Sequence, residues 1–196
     1  MNFISEYNRQ INDGRITAGK WIHALYAMIA NGLSEGLFFY DDRKAQRAIK
    51  FVENFAHHHE GPLAPGLIRL ELWQKAFLSA VFGIVDKNGL RQFREILLVV
   101  ARKNGKSIFA SGVGKYEFMV DGGFGAKVFC IAPKLDQADI VYNNIWQMIQ
   151  LDPDWQAEEE LKLERDEHNK KIHDDSNHAR RRQSDIAIPG TNSNVK

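Results

Sequence analysis

A chain of 196 residues with 44% hydrophobic and 26% charged residues has the balance of a globular domain, which excludes a fibrous or disordered polymer. The formal net charge of +1 is uninformative, but residues 87–127 hold eight Lys or Arg against three acids, a basic zone suited to an anionic ligand. The lone Cys130 excludes an internal disulfide framework and fits a reducing compartment. The longest strictly apolar run, Ile96 to Ala101, falls far short of the about 20 residues that span a bilayer, so no membrane association is expected. The opening MNFISEYNRQ carries an acid and no apolar signal core, which predicts no secretion signal.

Residues 1–60 read as helical. Trp21, Ile22, Leu25, Met28 and Ile29 recur at helical spacing within Ile16–Ile29, and Asn31-Gly32 is the natural stop. A second helix is predicted from Asp41-Asp42, which can cap it, to Ala56, burying Ala45, Ala48, Ile49, Val52 and Phe55. Gly61-Pro62 and Pro65-Gly66 break the chain. Leu70 to Phe82 is helical again, with Trp73, Phe77, Ala80 and Val81 on one face and Gly83 as its end. The short run Ile96 to Val100 reads as a buried parallel strand, and Lys127 to Ala132 as a second. Between them Lys106 to Val120 is a predicted helix, burying Ile108, Phe109, Val113, Tyr116 and Val120. Its Gly112 and Gly114 each cost about 1 kcal/mol against Ala, a sign of close packing against a neighbour. Leu135 to Ile149 is the last amphipathic helix, with Leu135, Ala138, Val141, Ile145 and Met148 in one stripe.

The order strand, helix, strand, helix predicts an α/β layer fold with a parallel sheet. The aromatics (12 Phe, 4 Trp and 5 Tyr) all lie at or before Trp155, and residues 158–185 carry 16 charges in 28 positions. That polar stretch reads as an exposed helix and loop, with Ile186 to Ile188 as a candidate short strand.

Chemistry is most legible at Val99-Val100-Ala101-Arg102-Lys103-Asn104-Gly105-Lys106-Ser107. A phosphate-binding loop has the pattern G-x-x-x-x-G-K-[ST] between a strand and a helix. Gly105, Lys106 and Ser107 match it, while Val100 stands at the first glycine. Amide groups and the helix dipole at such a start make an anion site. Lys106 can reach β and γ phosphates, the Ser107 hydroxyl can ligate Mg²⁺, and Gly105 lets the backbone come close. A cationic helix start with a glycine turn is the plainer alternative.

VARKNGKS resembles the variant phosphate loop of the large terminase subunit of tailed bacteriophages, where the first glycine is commonly absent and an arginine lies inside the loop. Leu72-Trp73-Gln74, with Phe77 and Phe82-Gly83, resembles the adenine-recognition stretch of that family. Ile131-Ala132-Pro133 with Gln137-Ala138 is similar to its second strand and following helix, and Phe39-Tyr40-Asp41 with Ala45, Ala48 and Phe51 to its helical lead-in. The resemblance covers most of residues 15–150. It implies a P-loop NTPase of three αβα layers with a parallel sheet, preceded by a helical lead-in over 1–68. Residues 69–196 would be the N-terminal portion of the ATPase domain, its sheet incomplete.

What the resemblance implies for function is ATP and Mg²⁺ as cofactors, with the loop residues Arg102, Lys103, Asn104, Gly105, Lys106 and Ser107 on the phosphates. Ser107 would bind the metal, and Arg102 would act on the γ phosphate as an arginine finger. Trp73 and Gln74 would meet the adenine, Gln74 through an amide that offers both donor and acceptor. The implied partners are double-stranded DNA, a small terminase subunit and a portal protein, in a homo-oligomeric ring in the cytoplasm of the bacterial host. No apolar run ends in the paired acids that such an ATPase needs, since Asp166-Glu167 and Asp174-Asp175 follow polar residues. The expectation is a chain that stops before those Walker B acids and before the nuclease domain. Two other readings stay open: another P-loop ATPase such as a helicase or small-molecule kinase, and a non-enzymatic DNA- or protein-binding module with a vestigial loop.

Other clusters are read as structural. His57-His58-His59-Glu60 cannot all face one ion and is expected to be a solvated helix end. His168, His173 and His178 recur at a spacing that fits neither helix face, and Arg180-Arg181-Arg182 reads as a charged loop, with contact to DNA phosphates as the alternative.

Overall fold

Helix α1 (Phe3–Asn12) begins where the Asn2 side chain accepts from the amides of Ile4 and Ser5, at 3.0 and 3.3 Å. This computed structural model describes residues 2–123, 125–153 and 156. Helix α2 (Lys20–Ser34) follows, then strand β1 (Phe39–Tyr40) and helix α3 (Asp42–Phe55). The predicted cap of α3 is present, with the Asp41 carboxylate accepting from the Lys44 amide at 3.1 Å. Helix α4 (Leu72–Gly83) opens on a reciprocal capping box between Glu71 and Gln74. Strand β2 (Ile84–Val85), helix α5 (Lys106–Tyr116), a π-helical turn over Glu117–Asp121 and helix α6 (Leu135–Gln150) complete the order.

Two apolar clusters hold these elements together, and α4 contributes to both. One gathers Ala48, Ile49 and Val52 of α3 with Leu78, Val81 and Phe82 of α4, Phe109 and Tyr116 of α5, and Met148 of α6. The other gathers Ile4, Tyr7 and Ile11 of α1 with Tyr26 and Ile29 of α2, Phe38, Ala76 and Ile84. Serving two clusters explains why α4 buries residues nearly all round, rather than on the single predicted face. The glycines of α5 sit where the sequence suggests close approach. A methyl at Gly112 would lie 3.2 Å from Val52 of α3, and one at Gly114 would lie 2.7 Å from the Ile145 tip on α6.

The sheet differs from expectation. Among the described residues the sheet is β1 and β2 in antiparallel register, Phe39 opposite Val85 and Tyr40 opposite Ile84. The runs Ile96–Val100 and Lys127–Ala132, predicted as buried parallel strands, carry no ladder. Apart from Leu98, which packs on the first apolar cluster, several of their side chains face outward: Leu97 is 89% exposed, Val99 84%, Phe129 76% and Ile131 91%. A parallel strand is covered on both faces and paired along its edges, and neither condition is met here. Helix α2 departs as well, since Trp21, Leu25 and Met28 of the predicted stripe are exposed and burial falls on Tyr26, Ile29 and Gly32. Similarly, Leu135 of the predicted α6 stripe is exposed, whereas Asn144, Met148 and Ile149 are buried.

The chain divides into two units, Met1–Leu151 and Asp152–Lys196. The expectations for Asp166-Glu167, His168, His173, Asp174-Asp175, His178, Arg180–Arg182 and Ile186–Ile188 lie outside the described residues. No helix among the described residues is long and apolar enough to cross a membrane.

Candidate functional site

Loop 101–105 ends on two left-handed residues either side of Asn104. Lys103 has φ 66° and Gly105 has φ 67°. Glycine adopts that conformation freely, whereas an L-residue such as Lys103 is held there against a cost of about 1 kcal/mol. The Asn104 side chain folds back on the loop, its amide donating to the carbonyls of Ala101 and Arg102, both at 3.4 Å. The two positive φ values turn the loop sharply just ahead of the helix start.

Helix α5 starts at once from this loop, and no side chain caps it. Its first-turn amides are therefore left to water or to a ligand. Lys106 is its first residue and is exposed; Ser107 is the second and half-buried. The helix itself is firmly seated. Phe109 packs against Trp73 and Phe77 of α4 in tilted and edge-to-face contacts, each ring centroid 5.7 Å away, and Ser111 donates to the Ser107 carbonyl at 2.8 Å.

The loop opens on a cavity of about 410 Å³, inside the roughly 300–1,000 Å³ range of small-molecule sites. Lys103, Gly105, Lys106, Ser107 and Ile108 line it, with Ile140 and the buried Asn144 of α6. His58, His59 and Glu60, from the link between α3 and α4, line it as well. These three are not the solvated helix end that the sequence suggests. Helix α3 stops at Phe55, and the link pairs back on itself, with the His58 amide donating to the Gly66 carbonyl and the Ile68 amide to Ala56, each at 2.9 Å. No cluster able to hold a metal through His, Cys, Asp and Glu alone occurs among the described residues.

Of the residues named from the sequence, Lys103, Gly105, Lys106 and Ser107 are thus brought together. Asn104 shapes the loop, and Arg102 is exposed beside it without lining the cavity. Trp73 and Gln74 do not line it either. Trp73 packs on Phe109, and Gln74, 8% exposed, accepts the Glu71 amide on its side-chain oxygen at 2.8 Å. His58, His59, Glu60 and Asn144 were missed as cavity residues, because nothing local marks residues that meet the loop only after folding.

An uncapped helix start behind a strained loop, with a lysine and a hydroxyl at its mouth, can hold a polyanion such as a chain of phosphates. A family model described as "Terminase large subunit, ATPase domain" matches residues 72–192, more than half of the chain. The chain belongs to that family. Among solved structures, the crystal structure of the HK97 bacteriophage large terminase matches at 28% identity and a TM-score of 0.44, covering 58% of this chain and 22% of that one. So loose an overlap carries no argument about the fold. No curated protein matches the chain.

Proposed function

We propose that this chain is the ATP-binding part of a phage DNA-packaging motor, the large terminase subunit, which couples ATP hydrolysis to translocation of double-stranded DNA into the capsid. The observation that carries the reading is the uncapped start of α5, opening with Lys106 and Ser107 on a cavity of about 410 Å³ inside the family-matched stretch. Lys106 neutralises phosphate charge, and the loop amides from Lys103 to Ser107 hold the phosphate oxygens. Ser107 fits a Mg²⁺ site, because that ion keeps most of its waters and phosphate oxygens and needs few protein ligands. When bound, Mg²⁺ offsets charge on the β and γ phosphates. Arg102, exposed at the loop, is assigned to the γ phosphate. Trp73 and Gln74 stay assigned to the adenine on the resemblance of their stretch to the family's adenine-recognition segment, although neither lines the cavity.

In the complete motor the sheet is proposed to be the parallel one of a P-loop NTPase, with residues 96–100 and 127–132 as its strands; the exposed apolar side chains in both runs support this. The partners proposed are double-stranded DNA, a small terminase subunit, a portal protein and further copies in a ring, in the host cytoplasm.

Calorimetric titration with Mg–ATP tests the reading. Lys106→Ala removes a charge-assisted contact and is expected to weaken binding by about tenfold or more. Absence of ATP binding by the unaltered chain, or equal affinity in the variant, overturns it.

A further inference from the structure

We propose that the link between α3 and α4 is the sugar-binding wall of the nucleotide site, with Glu60 accepting hydrogen bonds from the ribose hydroxyls. The inference rests on the phosphate reading of Lys106 and Ser107 given above, and adds the residues that would face the other end of the ligand.

Charge orients the ligand. Lys103, Lys106 and the start of α5, with its positive dipole end, line the cavity together with Glu60. A triphosphate is drawn to the lysines and repelled by Glu60, so the uncharged part of the nucleotide is the part that can approach Glu60. A ribose presents neighbouring hydroxyl donors, and an ionised carboxylate is an acceptor with two oxygens. Acidic residues hold ribose hydroxyls in the same manner in dinucleotide sites of unrelated folds.

One further observation fits a ligand wall. The link is pinned rather than loose: besides its internal backbone pairs, the Glu53 carboxylate of α3 accepts the Leu70 amide at 3.2 Å and pairs with Lys75 at 3.0 Å.

The experiment is calorimetric titration of the full chain with Mg–ATP and with Mg–2′,3′-dideoxy-ATP. Glu60 is exposed, so Glu60→Ala is expected to fold, and circular dichroism checks that it does. The unaltered chain should prefer ATP by about tenfold, the worth of hydrogen bonds to a charged acceptor. Glu60→Ala should lose that preference by weakening ATP alone, and Glu60→Gln, which keeps a neutral acceptor, should retain part of it. Equal weakening of both nucleotides, or a preference that survives Glu60→Ala, overturns the sugar wall while ATP binding sensitive to Lys106→Ala leaves the phosphate site standing. Failure of the unaltered chain to bind either nucleotide overturns both.

Discussion

Lys115 is a charged side chain with 0% exposure, and the reason lies at the ends of two helices. Its ammonium donates to the Phe55 carbonyl at 2.7 Å and the Met148 carbonyl at 2.9 Å, near the C-termini of α3 and α6. Those carbonyls carry the negative end of each helix dipole. Lys115→Ala removes the donor, opens a void and leaves a buried and a part-buried carbonyl short of a partner. We expect a loss of about 2–4 kcal/mol in urea unfolding, and a change below about 0.5 kcal/mol would sink the assignment. The sequence counts Lys115 within a basic zone fit for an anionic ligand. Folding assigns it to carbonyls instead, and assigns Arg91 of the same zone to Glu117 and Asp121. Residue type and local charge cannot distinguish a cation that serves a ligand from one that serves the backbone.

At the scale of elements, close approach decides where glycine stands. A methyl on Gly32 of α2 would lie 2.2 Å from Cζ of the buried Phe38 ring. Alanine improves helix propensity by about 1 kcal/mol, but displacing a packed ring costs about 1–3 kcal/mol. Gly32→Ala should therefore be net destabilising by about 1 kcal/mol, and harmless once Phe38→Leu has made room; equal effects in both backgrounds would refute the packing account. Helix positions were readable because caps such as Asp41 and the 3.6-residue period are local signals. The sheet was not. Strands β1 and β2 have two residues each, too short to show any period, whereas the apolar run 96–100 lacks pairing partners among the described residues. The site divides along the same line. The phosphate loop is contiguous and therefore legible, but His58–Glu60 reaches it only through the α3–α5 and α3–α4 packing.

For the molecule as a whole, both clusters enclose a tyrosine whose hydroxyl resists ionisation. Burial, with Asp121 nearby, pushes the Tyr116 phenol up to about 12, and burial raises Tyr26 as well. An unfolded tyrosine releases its proton near pH 10, about two pH units earlier. Between about pH 10 and 12 the unfolded chain thus holds fewer protons than the folded one, so stability present below that window declines as pH rises. Urea midpoints should fall across it by an amount worth on the order of 1 kcal/mol from Tyr116, and Tyr116→Phe should flatten the decline. Parallel slopes for the two proteins would contradict the cause. One consequence concerns mechanics. Helix α5 is anchored at its far end by Lys115 and gripped along its flanks where Gly112 meets α3 and Gly114 meets α6. A strut of roughly 16 Å held in this way has no slack along its axis. A pull on its first turn is therefore carried to the α3 and α6 contacts at Gly112, Gly114 and Lys115.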